Sequence, residues 1–189
     1  MKPTESPADD PSAIETEEAG GPDVLEYDDW RWHTEGKFPA GQPPEQGYVH
    51  IGIFVVWLAF HDMLDPNWVA TAGAAKDVTA IRERRETVTA LRDVTDGRLA
   101  GDMLTEEGAG FTGAYYAPEY GYARDWRKVF GRHADRYEIP DDWATYDRIE
   151  PLVELRYQQW IDAGRPELMP LTGLLSFLLR FFRPRIQKS

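Results

Sequence analysis

The sequence predicts a mainly α fold: one compact multi-helix domain with an aromatic N-terminal loop, plus a separate amphipathic C-terminal helix. Three observations carry that prediction. Val49–Leu64 holds an almost uninterrupted apolar run, Ile51–Phe60, with no turn residues before Asp65-Pro66, as expected of a buried helix at the centre of its domain. Asp77–Val94 places Val78, Ile81, Val88 and Leu91 at helical spacing. Nowhere in the folded segment is there a convincing alternation of period two.

Taken in order, residues 1–26 read as a disordered acidic leader, because Met1–Pro22 has four prolines and only Ile14 as a large apolar residue after Met1. The domain, 27–164, opens on the aromatic loop Tyr27-Asp28-Asp29-Trp30-Arg31-Trp32-His33, then Phe38-Pro39 and the turn Gly41–Pro44. After the central helix comes Asp77–Val94, in which Arg82 and Glu86 can pair across one turn; Asp96-Gly97 ends it. A short helical piece holding Leu99, Met103 and Leu104 follows. Thr105 is placed as an N-cap, with Glu106 and Glu107 favourable against the helix dipole, for a helix running to Tyr116. Tyr120–Phe130 is another, stopped by Gly131. Asp141 or Asp142 caps a last helix that bends or restarts at Pro151 and ends at Gly164.

Residues 165–189 form a linker and a basic amphipathic helix. Leu171–Phe182 is rich in Leu and Phe; on a helical wheel Gly173, Ser176, Arg180 and Arg183 share a narrow arc, and Leu174, Leu175, Leu178, Phe181 and Phe182 lie on the wide greasy remainder. That helix is too short to span a bilayer. It can pack on its own domain, enter a partner's groove or self-associate, or lie on an anionic membrane surface, the least favoured of the three.

Composition excludes more than it identifies. The chain has 189 residues, with 33 acidic against 21 basic and a net charge of -12. The charge is uneven: -9 over Met1–Asp29, -7 over Trp30–Gly164 and +4 over Arg165–Ser189. An acidic surface argues against nucleic acid as partner. The absence of cysteine removes disulfides, thiolate catalysis and Cys-ligated metal centres. No signal peptide or apolar span is evident, so a cytoplasmic protein is expected.

Few motifs survive scrutiny as chemistry. Gly108-Ala-Gly110-Phe-Thr-Gly113 matches the dinucleotide fingerprint but follows polar Asp102–Glu107 without a βαβ setting; its glycines suit close helix packing instead. On a helical Val49–Leu64, His50, Phe54, Trp57 and His61 share one face, yet His50 and His61 stand about 16 Å apart, too far to share a metal ion. Either could join His33 and a carboxylate such as Asp28 or Asp62 through folding; most histidines of this kind are buried, hydrogen-bonded structural residues. His133 is the fourth. The pairs Asp28-Asp29, Glu106-Glu107 and Asp141-Asp142 do not form facing dyads, and the last two read as helix starts. Arg82, Arg84 and Arg85, interleaved with Glu83 and Glu86, read as a solvated, salt-bridged face. No cofactor, metal set or catalytic residue is expected.

The blocks Tyr27-Asp28-Asp29, Trp32-His33-x-x-Gly36-Lys37-Phe38-Pro39 and His50-Ile51-Gly52-Ile53-Phe54-x-x-Trp57 resemble a bacterial family of small proteins of unassigned function. Weaker agreement extends through Asp96-Gly97-x-Leu99, Gly108-x-x-Phe111, Tyr115-Tyr116 and Asp125, covering about Tyr27–Trp160. The resemblance implies no activity. It implies that Trp32, His33, Phe38 and His50 either lock the aromatic loop onto the central helix or line a pocket.

Two functions follow as expectations. The first is a non-enzymatic protein-binding module, an immunity-type neutraliser of a basic protein or an adaptor subunit, docking through the C-terminal helix. The alternative is a small enzyme or ligand-binding protein using His33 and His50 in an aromatic-lined pocket with Trp32, Phe38 and Trp57.

Overall fold

Seven α-helices and one two-stranded antiparallel sheet make up the computed structural model, which describes residues 24–35, 38–131 and 137–169. β1 (Glu26–Asp29) runs directly into α1 (Trp30–Thr34), and a 3-10 turn at Pro44–Gly47 leads into α2 (Val49–Phe60). α3 (Pro66–Thr71), α4 (Ala75–Arg82) and a 3-10 turn at Val88–Leu91 precede β2 (Arg98–Ala100). α5 (Glu106–Phe111) continues into a π-helical turn, Thr112–Tyr116, followed by α6 (Tyr122–Phe130) and α7 (Trp143–Asp162).

α2 is the central rod that its apolar run predicts. Every residue from Val49 to Ala59 is buried. At roughly 1.5–3 kcal/mol per large apolar side chain, this segment is the main hydrophobic contribution of any single element. Phe54 lies among Phe111, Tyr116 and Tyr122, with ring centroids at 6.1, 4.8 and 5.2 Å. On its other flank the backbone of Val88 comes so close that a Cβ at position 52 would stand 2.9 Å from its carbonyl oxygen, so only glycine fits there.

The first correction is the sheet. Glu26 pairs with Ala100, Asp28 with Leu99 and Asp29 with Arg98, with an irregularity between Glu26 and Asp28. The aromatic loop is therefore a strand and a helix, and Leu99 belongs to β2 rather than to a helical piece. Strands of three and four residues are too short to display alternation, and their pairing spans about seventy residues. Glu26, placed at the end of the leader, is already in β1.

The second correction is the helix expected over Asp77–Val94. It stops at Arg82, because Arg84 adopts a positive φ of 54° and the N–H groups of Arg84 and Arg85 turn back onto Ile81 and Ala80. Arg82 does not pair with Glu86. Its guanidinium donates to the Ala59 carbonyl at 2.6 Å and to Asp62 at 2.5 Å, tying α4 to the end of α2. Arg85 bonds the neighbouring Glu83 and Arg84 the distant Asp147, so the cluster is salt-bridged as expected, with one partner that local sequence does not disclose.

The later helices follow expectation more closely. Thr105 Oγ1 accepts the Gly108 N–H, Asp142 accepts the Thr145 N–H, and Gly131 ends α6 at φ 97°. Asp141 instead accepts from the backbone N–H and hydroxyl of Thr89. α7 does not restart at Pro151; Ile149 and Val153, both buried, hold the helix on either side of the proline. A Cβ at Gly108 would stand 2.7 Å from the Met63 carbonyl oxygen and one at Gly110 3.2 Å from the Trp160 ring, so the glycine motif serves helix packing. Among the described residues, no helix is long and apolar enough to cross a membrane. The leader over 1–23, His133 and the C-terminal helix with Leu174, Leu175, Leu178, Phe181 and Phe182 lie outside the described residues.

Candidate functional site

The strand-to-helix junction builds the site. Asp29 is the N-cap of α1, its carboxylate accepting the Arg31 N–H at 2.7 Å and the Arg31 guanidinium at 3.0 Å. With Asp29 turned to that task, the register irregularity in β1 directs Asp28 to a different set of partners. One turn into α1, His33 Nε2 donates to Asp28 Oδ1 at 2.7 Å. From the first turn of α2, His50 Nε2 lies 3.3 Å from Asp28 Oδ2. The Asp29 N–H donates to Oδ1 at 2.9 Å and Tyr116 Oη to Oδ2 at 2.6 Å.

Tyr116 reaches Asp28 because of the π-helical turn. The wider turn changes the phase of its residues, and adjacent Tyr115 and Tyr116 are both buried, 1% and 7% exposed. Tyr115 Oη points to Asp125 Oδ2 at 3.4 Å, while Tyr116 serves Asp28.

The environment favours an ionised Asp28. Burial opposes its charge, but hydrogen bonds and positive charge from His33 and His50 outweigh burial and hold the carboxyl well below the usual carboxylate range. The two imidazoles meet edge to face with centroids 4.5 Å apart. The side chains of Asp28 and His50 are 12% and 8% exposed, and His33, at 15%, is the most open member. Trp126 lies 6.2 Å from the His50 ring, and Tyr137 lies 6.3 Å from that of His33.

Of the residues singled out from sequence, His33 and His50 come together, and Asp28 rather than Asp62 is their carboxylate. Phe38 reaches the site through Tyr137, at 4.8 Å between rings. Trp32, 55% exposed, points to solvent, and Trp57 stacks on His61 at 3.9 Å, two turns along α2 from His50. His61 is engaged by Glu154 at 2.8 Å. The aromatic-lined pocket of Trp32, Phe38 and Trp57 is therefore not assembled as drawn from sequence. Tyr116, Trp126 and Tyr137 were missed; only the Tyr115-Tyr116 doublet at a helix end hints at one of them.

Chemically, the cluster is one carboxylate facing two imidazoles, a set able to bind a polar group, to exchange protons or to ligate a cation. One ligand atom from each of Asp28, His33 and His50 lies within 4.8 Å of the others.

Fold and site together define a small, mainly α domain with a largely buried Asp–His–His cluster at the junction of its first strand and helix. The chain belongs to the family described as a domain of unknown function, DUF7832, which matches residues 26–139 and so takes in all three cluster residues and Tyr116. The match stops before α7, short of the Trp160 to which the sequence resemblance extends. No curated protein and no solved structure matches the chain.

Proposed function

We propose that the protein is a ligand-binding domain with acid–base capability, working through Asp28, His33 and His50. One observation carries this reading: two imidazoles from separate elements converge on a single carboxylate, at 2.7 and 3.3 Å. Imidazole changes charge near neutral pH, and a carboxylate between two such rings sets their orientation. His33 is the member that meets a ligand, since it keeps the largest exposed fraction of the three side chains.

A thermal-shift screen of small polar metabolites against the wild type and His33→Gln tests it. A ligand at a hundredfold excess over its Kd stabilises by about 2.7 kcal/mol. Protection of the wild type that disappears in the variant is the expected result. Equal protection of both proteins, or none across the library, overturns it.

A second reading keeps one observation. Trp32, 55% exposed and adjacent to His33, supplies an aromatic anchor of the kind protein interfaces use. In that reading the protein is an immunity-type or adaptor module in the bacterial cytoplasm, and its basic partner docks over α1.

A further inference from the structure

We propose that Asp28, His33 and His50 form a binding site for one divalent transition-metal ion of the zinc class, with Tyr116 as the residue that positions the carboxylate. The proposal rests on the reading of the site above and names the ligand class. The argument begins with distance. Ligand atoms each about 2 Å from a shared ion stand no more than about 4 Å apart. One ligand atom from each residue lies within 4.8 Å of the other two, and each imidazole already stands inside that limit from one oxygen of the carboxylate, His33 Nε2 at 2.7 Å from Oδ1 and His50 Nε2 at 3.3 Å from Oδ2. Bringing a separation of 4.8 Å inside that limit takes a closure of under about 1 Å.

Donor chemistry selects the metal class. Two imidazole nitrogens and one carboxylate suit zinc, cobalt, iron or nickel, whereas calcium requires six or more oxygen ligands and magnesium prefers oxygen and retained water. The ion takes the place of the protons between nitrogen and oxygen: each Nε2 turns a lone pair to the metal, its proton leaves or moves to Nδ1, and the Asp28 carboxylate becomes a ligand instead of a hydrogen-bond acceptor.

The surroundings fit the same purpose. Tyr116 Oη at 2.6 Å and the Asp29 N–H at 2.9 Å orient the carboxylate as outer-shell donors do in metal sites. The Tyr122 hydroxyl donates to the His50 carbonyl at 3.1 Å and fixes the start of α2. No lysine or arginine is bonded to Asp28 among the described residues, in contrast to the buried aspartates Asp29, which Arg31 bonds, and Asp125, which Lys128 and Arg156 bond. Three protein ligands leave room in the coordination sphere for a water molecule or a ligand atom, and His33 marks the open side.

The test uses the full chain, stripped with chelator and titrated with Co2+ alone. The expected result is one Co2+ per chain with a visible ligand-field band, displaced by Zn2+, and a rise in Tm on Zn2+ addition. His33→Gln removes the band and the Tm rise. Tyr116→Phe keeps the band and weakens Co2+ binding by about tenfold, as outer-shell substitutions do. Absence of the band in the wild type, or a band unchanged in His33→Gln, overturns the metal site. If the metal fails while metabolite protection still depends on His33, the broader ligand-binding reading stands alone. If both fail, the cluster is a lock between α1 and α2.

Discussion

Asp28 and Asp125 are both buried carboxylates bonded by adjacent tyrosines of one π-helical turn, yet they are built for different work. Asp125, 1% exposed, faces Lys128 Nζ at 2.5 Å and the Arg156 guanidinium at 2.6 Å. Asp28 faces two imidazoles. Lysine and arginine stay charged throughout the pH range in which the protein folds, so the Asp125 cluster is a permanent staple between α6 and α7. Imidazole can lose its proton and offer a lone pair, so the Asp28 cluster can release its internal bonds and take up something else. The difference between a staple and a site lies in the partners rather than in the carboxylate or its burial.

The largest expected effect breaks the staple. Asp125→Ala leaves Arg156 and Lys128 without their counter-charge, and removing one partner of a buried pair costs about 3 kcal/mol. Urea denaturation measures it; a loss below about 1 kcal/mol would show that the pair only offsets its own desolvation. The same cluster sets an acid limb. Burial raises the Asp125 carboxyl, but bonds and charge from Arg156 and Lys128 bring it below the ordinary value. Near pH 4 the unfolded chain then binds the proton more readily than the native one, so the stabilisation is present above that pH and falls away as the pH drops. Among the described residues, the groups bonded to Asp125 are Tyr115, Lys128 and Arg156. Asp125→Asn is expected to shrink this limb and leave the part that Asp28, whose carboxyl is also lowered, contributes.

A smaller effect sharpens the other half of the comparison. Asp28→Asn keeps an oxygen for the Tyr116 hydroxyl or the Asp29 N–H and loses the negative charge between the rings. A cost of about 1–2 kcal/mol is expected in urea, together with complete loss of ligand protection. A loss as large as that of Asp125→Ala would mean that Asp28 is equally a staple.

The contrast between the two clusters was only partly legible in the sequence. Residues whose role depends on local pattern could be read: the apolar run of α2, the N-cap Thr105, a cap at Asp141 or Asp142, and His50 within the buried helix α2. Residues whose role depends on distant pairing could not. Asp28 is aimed by the pairing of β1 with β2, about seventy residues away, in strands too short to alternate visibly. Tyr116 is aimed by a π-helical turn that no helical wheel anticipates, since a wheel assumes 3.6 residues per turn. The Asp125 partners divide the same way: Lys128 stands three residues on along one helix, and Arg156 arrives from α7.

The smallest expected effect separates folding from recognition at α1. Trp32 and His33 are neighbours, but the indole is 55% exposed while the imidazole is bound to Asp28. An exposed side chain with no ring contact among the described residues carries little folding energy, so Trp32→Ala is expected to shift stability by no more than about 0.5 kcal/mol. Its consequence for binding divides the two proposed functions. A ligand held by the Asp28 cluster should protect Trp32→Ala as well as it protects the wild type, because the indole points away from the cluster. A protein partner docking over α1 should lose affinity on this substitution while the metabolite screen stays unchanged, since interface tryptophans concentrate binding energy. A destabilisation well above 0.5 kcal/mol would place the indole inside the packing and remove it from either recognition scheme.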